Sequence, residues 1–359
     1  MLISNKELFA ALAAVCLFTA SAGAQTEFVC AGLDTAINIH GAGKSLEPRS
    51  TSGSLSALVI FADFEEGTLS APLPAFATRL FDRERPGSLS HFYDTMSAGQ
   101  FAVQGTVLPR RYHSNGPASD YVATAVDQRG RYGQFVREIL QKAGHDIDFG
   151  QFDNDGADGI PNSGDDDGVV DYIFVNIATT PAWFFVGNAT GVGGLGMDDS
   201  YESGDLTPNG VPIQIFGHSS GGSVLREGNY EQTVGAMAHE LGHHLGLPDL
   251  FDRSYSSPAE DSAGIGRWGL MAWGTLGWNG TDGPNPFSAW SLEQLGWIGI
   301  DNESLVEVSG EHSVSEFSPL VEGGLVYKLA TRDPSEYFLV EHRQPGASHY
   351  ERSLPGDGL

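Results

Sequence analysis

The chain has 359 residues, of which 40% are hydrophobic, 47 are glycine and 18 are proline. This composition excludes a disordered chain and favours one large, loop-rich domain with a smaller unit attached. The formal net charge is −27, from 46 acidic and 19 basic side chains. A surface this acidic repels polyanions, so we expect neither nucleic acid nor an anionic membrane as a partner.

The N-terminus predicts export from the cytoplasm. Lys6 precedes an apolar run over residues 8–18, and the small residues AGA at 22–24 form a signal-peptidase site. We therefore expect a signal peptide over residues 1–24, followed by a pro-segment or linker over residues 25–54. The apolar run is too short to span a bilayer comfortably, because a spanning helix needs about 20 apolar residues. We expect a secreted protein, extracellular or periplasmic, without stable membrane insertion after signal removal; a retained N-terminal anchor is the alternative.

The two cysteines predict a mature chain without an internal disulfide. Cys16 lies within the expected signal peptide, which leaves Cys30 alone. Packing and bound ions must then supply the rigidity that disulfides give to many exported proteins. Cys30 is either an ordinary N-terminal cysteine or a thiolate that blocks a metal site in a latent precursor.

Hydrophobic periodicity predicts a mixture of strands and helices along the chain. Apolar runs rich in β-formers indicate strands over residues 55–64, 101–108 and 169–178. Apolar residues at helical spacing indicate four helices. Their expected bounds are residues 88–97, 132–143, 230–245 and 286–297. This mixed order predicts an α/β or α+β fold with a mixed sheet.

An acidic segment before the third expected strand predicts a calcium site. Alternating carboxylates closed by glycine can wrap a hard cation, because every second side chain turns inward and glycine permits the tight turn. The spacing is not that of an EF-hand, since no glutamate closes a twelve-residue loop. The alternative is an acidic loop that is merely solvated. The candidate calcium ligands are Asp153, Asp155, Asp158, Asp165, Asp167 and Asp171.

Residues 239–243 read HELGH, the pattern of two histidines and one glutamate with which a helix holds a catalytic zinc ion. His239 and His243 are about one turn apart on one helical face, so both imidazoles can bind one ion. Glu240 is the expected general base, acting on a water molecule that the ion activates. A helix with an ordinary buried histidine is the alternative.

The third zinc ligand is expected just after this helix. Gly246 can adopt the positive φ that ends a helix, and Pro248 cannot continue one. The chain then turns, and Asp249 can bring a carboxylate oxygen to the same ion; Asp252 and Glu260 remain competing candidates. Three protein ligands with one open position are typical of a catalytic zinc site, whereas a structural site is closed by four.

Several segments together resemble one known family. They read FADF, SHFYDTMSAGQFAVQGTV, DFGQFDNDG with VVDYIFVN, HELGHHLGLPDLFD, WGLMAWG, SAWSLEQLGW and EYFLVEHRQ, and they are spread over residues 55–359. In this set the chain resembles the immune inhibitor A family of secreted bacterial metallopeptidases. The resemblance implies zinc on His239 and His243, Glu240 as catalytic base, and a third ligand in or just after LPDLFD. It also implies calcium at the acidic loop, secretion, and synthesis as a precursor.

The resemblance also predicts the domain organisation. We expect a zincin-type catalytic domain over residues 55–300, with the zinc-binding helix packed under a mixed sheet. Residues 301–359 would form the start of a small β-rich C-terminal unit. The acidic loop is longer than in the family, with GIPNSGDD inserted. The sequence stops at LPGDGL, where relatives continue into another strand, so the C-terminal unit is either truncated or minimal.

Further side chains are expected around the zinc site. Met271 would form an apolar floor under the histidines, as methionine turns do in metzincin-type enzymes; ordinary core packing is the alternative. We expect His244 beside the site or at the surface, because its side chain points about 100° away from that of His243. Tyr255 and His218 are the candidates for an additional oxyanion donor.

These observations lead to one hypothesis with two rivals. The hypothesis is a secreted, monomeric zinc endopeptidase that acts on protein or peptide substrates, with zinc as the catalytic ion and calcium as a structural ion. The first rival is a zinc hydrolase of a non-peptide substrate. The second is a non-catalytic, calcium-stabilised secreted module, which would not need Glu240.

Overall fold

The computed structural model describes residues 50–65, 72–124, 129–185, 189–218, 221–252, 262–308, 318–333 and 335–358. The expected signal peptide, most of the expected pro-segment and both cysteines lie outside these residues, as do Tyr255 and Glu260. In the described part of the chain, no helix is both long enough and apolar enough to cross a membrane.

The described elements alternate between strands and helices. The strands are β1 (Gly53–Asp63), β2 (Phe101–Val107), β3 (Tyr112–His113), β4 (Tyr172–Ile177), β5 (Gly191–Gly193), β6 (Tyr201–Leu206), β7 (Pro212–Ile215), β8 (Gly222–Arg226), β9 (Leu305–Val308), β10 (Val326–Ala330) and β11 (Tyr337–Val340). The α-helices are α1 (Leu89–Met96), α2 (Tyr132–Ala143), α3 (Tyr230–His244) and α4 (Ala289–Leu295).

A six-stranded sheet forms the centre of the fold. Its strand order is β2-β1-β4-β8-β5, and β3 pairs with the end of β1. All these pairs are parallel except β5 with β8, which is antiparallel. Parallel strands are usually covered on both faces by helices, which explains the nearly continuous apolar sequence of β1. The mixed α/β fold expected from the sequence is confirmed.

Strand β1 shows how the two faces of the sheet divide the core. Successive side chains of a strand point to opposite faces. Leu58 and Ile60 pack on the face covered by α2, and Val59 and Phe61 pack on the face covered by α1, α3 and α4. All four side chains are fully buried. The helix that carries HELGH therefore packs on one face of the sheet.

Two smaller sheets flank the central one. Strands β6 and β7 form an antiparallel pair, and β9, β10 and β11 form a three-stranded sheet in the order β11-β10-β9. The three-stranded sheet contacts α4 through Lys328, whose Nζ lies 2.6 Å from Oε1 of Glu293. Arg343, also C-terminal, donates a hydrogen bond to the carbonyl oxygen of Phe287 at 2.9 Å.

The last helix is shorter than the sequence predicts. It spans Ala289–Leu295 instead of residues 286–297. The side chain of Ser288 accepts the N–H of Ser291, so it caps the helix N-terminus at that point. Gly296 adopts a φ of +78° and ends the helix one residue after Leu295.

Candidate metal centre and active site

Residues at each end of helix α3 define where the helix begins and where it ends. The side chain of Asn229 accepts the N–H of Gln232 at 2.8 Å, and Oε1 of Gln232 accepts the N–H of Asn229 at 3.1 Å. This reciprocal pair is a capping box, which satisfies two backbone donors at the helix start. After the helix, Gly246 has a φ of +97° and its N–H donates to the carbonyl of His243 at 3.0 Å. The chain turns at Gly246 as predicted, and Asp249 returns toward the helix.

Three predicted ligand side chains converge after this turn. Nε2 of His239 lies 3.0 Å from Oδ1 of Asp249, and Nε2 of His243 lies 3.4 Å from the same oxygen. Ligands of a tetrahedral zinc ion are about 3.3 Å apart when the bonds are about 2.0–2.1 Å long. The donor types and their separations therefore fit one zinc ion. Two imidazoles and one carboxylate also leave the fourth position that a catalytic zinc needs.

Main-chain carbonyl groups fix both imidazole rings. Nδ1 of His239 lies 2.9 Å from the carbonyl oxygen of Leu270, and Nδ1 of His243 lies 2.8 Å from that of Leu247. Because carbonyl oxygens only accept hydrogen bonds, each Nδ1 carries the hydrogen and each Nε2 is available to a metal. The two ring planes are 88° apart, so the Nε2 atoms approach Asp249 from different directions.

The charges of His243 and Asp249 shift the pKa values of both side chains. Burial opposes a positive charge on His243, but the carboxylate of Asp249, with a contribution from Glu240, outweighs burial and raises the pKa of His243 to about 9. Burial likewise opposes the charge on Asp249, yet His243 and His239 hold the pKa of its carboxyl well below the usual range. Without a metal, the group therefore holds a proton at neutral pH in place of a cation.

Glu240 lies fully buried against the edge strand β5. A Cβ atom at Gly191 would lie 3.1 Å from Oε1 of Glu240, and one at Gly193 would lie 3.1 Å from Oε2. The same position at Gly193 is 3.5 Å from Cδ2 of His243. The two glycines therefore leave room for the Glu240 carboxylate between β5 and the histidine face. This role does not follow from the sequence, because only the strand pairing brings these glycines to α3.

The turn that carries Met271 packs against helix α3. Met271 is fully buried, and its Sδ would be 2.6 Å from a Cβ atom at Gly242. Glycine at position 242 thus lets the sulfur pack directly against α3, one residue before His243. The carbonyl oxygen of Met271 accepts the N–H of Leu250 at 2.7 Å, next to Asp249. This contact ties the turn to the segment that carries the third candidate ligand.

A second group of acidic side chains meets in the loop before β4. Carboxylate oxygens of Asp153, Asp155 and Asp166 lie within 4.8 Å of one another. Asp153 is fully buried, and among the described residues its Oδ1 has no hydrogen-bond partner. Burial, reinforced by the charges of Asp166, Asp167 and Asp155, raises the pKa of Asp153 to about 7. Asp166 was not among the predicted ligands.

The other predicted calcium ligands bind backbone groups instead of joining this cluster. Asp171 accepts the N–H groups of Ser56 at 3.0 Å and Asn154 at 3.3 Å. Asp158 accepts the N–H of Ile160 at 2.8 Å. Two more such contacts complete the loop: Asp165 accepts the N–H of Asp158 at 3.1 Å, and Asp167 accepts the N–H of Val169 at 2.8 Å. Of the six predicted ligands, Asp153 and Asp155 are the two that the structure groups together.

The remaining predicted residues lie outside the convergent group. Asp252 is exposed, and its N–H donates to the carbonyl of Ser262 at 2.9 Å. His244 is buried with its ring 4.8 Å from that of Tyr172, on the core side of the helix instead of the surface. His218 is exposed, and its ring stacks on Phe216 at 5.2 Å.

Comparison with known proteins agrees with this geometry. Residues 75–299 match the family model described as the catalytic domain of immune inhibitor A peptidase M6. Immune inhibitor A of Bacillus thuringiensis subsp. alesti is 32% identical over 214 residues, which cover 55% of this chain and 30% of that protein. The pre-pro-metalloprotease PrtV of Vibrio cholerae serotype O1 (strain M66-2) is 27% identical over 254 residues, which cover 63% of this chain and 26% of that protein. The chain thus spans less than a third of the length of either relative. Since the family match extends over more than half of the sequence, the chain belongs to the immune inhibitor A peptidase family.

Proposed function

We propose that this chain is a zinc-dependent endopeptidase. The observation that carries the proposal is the convergence of His239, His243 and Asp249 next to the buried Glu240. Zinc, when bound, lowers the pKa of a coordinated water molecule to about 7 and polarises the carbonyl group of a substrate. The family membership of the chain supports peptide bonds as the substrate.

Glu240 is the proposed general base. Its carboxylate accepts a proton from the attacking water molecule and passes that proton to the leaving amine. The role is supported by the position of Glu240 directly after His239 and by the closeness of its Oε2 to β5, where a Cβ atom at Gly193 would lie 3.1 Å away. The histidine rings keep their orientation during these proton transfers, because their Nδ1 atoms are bonded to Leu270 and Leu247.

The substrate peptide is proposed to bind along β5. This strand is the last in the sheet order and runs antiparallel to β8. An extended peptide can add to such a sheet edge through main-chain hydrogen bonds. Because Cβ atoms at Gly191 and Gly193 would lie 3.1 Å from the carboxylate oxygens of Glu240, a peptide paired with β5 would pass beside the proposed base. This arrangement favours the peptidase over a hydrolase of non-peptide substrates.

Cleavage of unfolded casein, with and without a chelator, tests the activity. We expect cleavage that the chelator abolishes and added zinc restores. Glu240→Gln should abolish cleavage and retain zinc, whereas Glu231→Gln, on the same helix, should leave cleavage unchanged. Absence of chelator-sensitive cleavage would contradict the peptidase proposal. Cleavage by Glu240→Gln would contradict the assignment of Glu240 as the general base.

The third zinc ligand is proposed to be Asp249. Its Oδ1 is the point at which both histidine Nε2 atoms converge. Asp249→Ala should lose zinc at chelator concentrations that leave zinc on the wild-type protein. Asp252→Ala and Glu260→Ala should retain it. Zinc loss in either of these two variants, with zinc retained in Asp249→Ala, would make the substituted residue the third ligand instead of Asp249.

Calcium is the ion proposed for Asp153, Asp155 and Asp166. Calcium binds carboxylate oxygens in flexible geometries, and three carboxylates close together are costly without a cation. The buried Asp153, whose pKa is raised to about 7, supports the proposal most directly. Titration with calcium should give saturable binding that Asp153→Asn weakens. Binding that this substitution does not change would place the ion elsewhere.

Export and processing are proposed with the bounds given by the sequence. Residues 1–24 would be removed as a signal peptide, and residues 25–54 would form a pro-segment or linker before the catalytic domain of residues 55–300. Residues 301–359 would belong to a β-rich C-terminal unit. The relative from Vibrio cholerae is named a pre-pro-metalloprotease, which supports this order. N-terminal sequencing of the exported protein tests it, and a mature N-terminus at Met1 would contradict it.

A further inference from the structure

The hydroxyl group of Thr275 lies behind the first histidine of the metal site. Its Oγ1 is 3.0 Å from Nδ1 of His239, the atom that also lies 2.9 Å from the carbonyl oxygen of Leu270. Oγ1 is 2.7 Å from that same carbonyl oxygen and 2.9 Å from the carbonyl oxygen of Ala272. Thr275 and His239 are both fully buried, so water does not compete for these contacts.

The hydrogen positions in this group follow from the donor types. A threonine hydroxyl has one hydrogen and two lone pairs. That hydrogen is donated to Leu270 or Ala272, because a carbonyl oxygen can only accept. A lone pair of Oγ1 then faces Nδ1 of His239, and an Nδ1–H satisfies both Oγ1 and the Leu270 carbonyl. This arrangement selects the tautomer with its hydrogen on Nδ1. Nε2, the nitrogen that faces Asp249, then carries no hydrogen.

The position of Thr275 is fixed by direct contact of its backbone with helix α3. A Cβ atom at Gly235 would lie 2.0 Å from the carbonyl oxygen of Thr275. Glycine at position 235 therefore lets the turn approach the helix one turn before His239. The contact between the turn and the helix fixes the backbone of Thr275, and the hydrogen bonds of its hydroxyl to the Leu270 and Ala272 carbonyl groups hold the side chain in the rotamer that faces the imidazole.

We propose that Thr275 is a positioning residue for His239. Its hydroxyl, together with the Leu270 carbonyl, holds the ring in the tautomer and orientation that direct Nε2 toward the metal. The inference rests on the proposed zinc site. Removal of a group that is hydrogen-bonded to the other ring nitrogen of a metal-binding histidine, the one that does not bind the metal, typically lowers metal affinity by about 10–100-fold.

Zinc affinity, measured by competition with a chromophoric chelator, tests this role. Thr275→Val keeps the shape of the side chain and removes the hydroxyl, and should weaken zinc binding by about 10–100-fold. Thr275→Ser keeps the hydroxyl and should retain most of the affinity. Thr233→Val is the matched control, because Thr233 is also buried on this side of the fold and its Oγ1 accepts the N–H of Gly228 at 3.1 Å. This control should lower thermal stability without changing zinc affinity.

The outcomes separate this inference from the zinc proposal. Wild-type affinity in Thr275→Val, or an equal loss in Thr233→Val, overturns the positioning role. Failure of the wild-type protein to bind zinc more tightly than His239→Ala overturns the zinc site itself. If Thr275→Val does not fold, Thr275→Ser and Thr275→Ala are compared instead, because these two side chains differ only in the hydroxyl group. Tighter zinc binding by Thr275→Ser supports the proposal, and equal zinc affinity of the two variants overturns it.

Discussion

At Gly193, a Cβ atom would lie 3.1 Å from Oε2 of Glu240 and 3.5 Å from Cδ2 of His243. We expect Gly193→Ala to displace the proposed base and to lower kcat/KM by roughly 10²-fold, the low end of what a general base contributes. Zinc should remain bound, because the ligand side chains are not replaced. Gly204→Ala is the control, since no atom lies within 4 Å of its Cβ position. Peptidase assays and zinc content are the measurements, and full activity in Gly193→Ala would contradict the close fit.

The proton held by His243 predicts how zinc affinity depends on pH. Because the pKa of His243 is raised to about 9 in the metal-free site, zinc must displace one proton at neutral pH. Affinity should therefore rise about tenfold per pH unit up to about pH 9 and then level off. The same shift stabilises the metal-free fold below about pH 6.5, and this stabilisation is lost as the pH rises through about 9.

Calorimetric zinc titrations in buffers of different ionisation enthalpy measure this proton directly. About one proton should be released per zinc ion at about pH 6, where the His243 proton is still present and a zinc-bound water molecule, with a pKa of about 7, is not yet ionised. Asp249 adds no second proton, because the pKa of its carboxyl is held well below the usual range. An affinity that stays constant between pH 6 and pH 8 would contradict the raised pKa of His243.

At the residue scale, the sequence predicts those features of the site that depend only on residues close together in the chain. The spacing of His239 and His243 follows from one helical turn, and the turn at Gly246 brings Asp249 back to them. The choice of Asp166 within three consecutive aspartates does not follow from the sequence. The loop conformation decides which of three adjacent side chains turns inward, and the strict alternation assumed for this loop does not hold there.

At the element scale, the contact between α3 and the turn that follows it predicts an unusual glycine effect. Alanine is favoured over glycine inside an exposed helix by about 1 kcal/mol. A Cβ atom at Gly235, however, would lie 2.0 Å from the backbone oxygen of Thr275, which cannot rotate away. We expect Gly235→Ala to lower the free energy of unfolding by about 1–3 kcal/mol, as overpacking typically does.

Denaturant unfolding of Gly235→Ala and of a second variant checks this expectation. Gln141→Ala, on the exposed face of α2, should change stability by less than about 0.5 kcal/mol, as surface substitutions usually do. A Gly235→Ala variant more stable than the wild-type protein would show that helix propensity outweighs the contact. Such a result would also weaken the argument that the turn is held rigidly against His239.

The predictability of the elements follows their length and amphipathicity. Helix α2 spans the predicted residues because its apolar periodicity is strong, and β1, which begins two residues before the predicted strand, is marked by a long and nearly continuous apolar run. Strands β5 and β7 have three and four residues, too few to show a period in the sequence. Strand β5 exists because it pairs with β8, and that pairing also creates the proposed substrate edge.

At the scale of the whole molecule, part of the acidic excess behind the −27 net charge is concentrated in the loop around the buried Asp153. Asp153 has its pKa raised to about 7 by burial and by the charges of Asp166, Asp167 and Asp155. Since the folded pKa lies above the unfolded value, this group stabilises the fold at low pH. That contribution is lost as the pH rises through about 7, when Asp153 ionises beside its neighbours.

A cation bound by these carboxylates would remove that repulsion, so calcium should stabilise the protein more at pH 8 than at pH 5.5. Thermal unfolding of the zinc-loaded Glu240→Gln protein, with and without calcium, measures the difference without interference from self-digestion. Asp153→Asn should make the calcium-free Tm less dependent on pH near 7, because it removes the buried ionising group. Asp158→Asn, at an exposed position of the same loop, is the control and should leave the pH dependence unchanged. Equal calcium-induced Tm shifts at the two pH values would show that calcium binding does not ionise Asp153. The proposed link between the protonation of Asp153 and the stability of the whole protein would then be wrong.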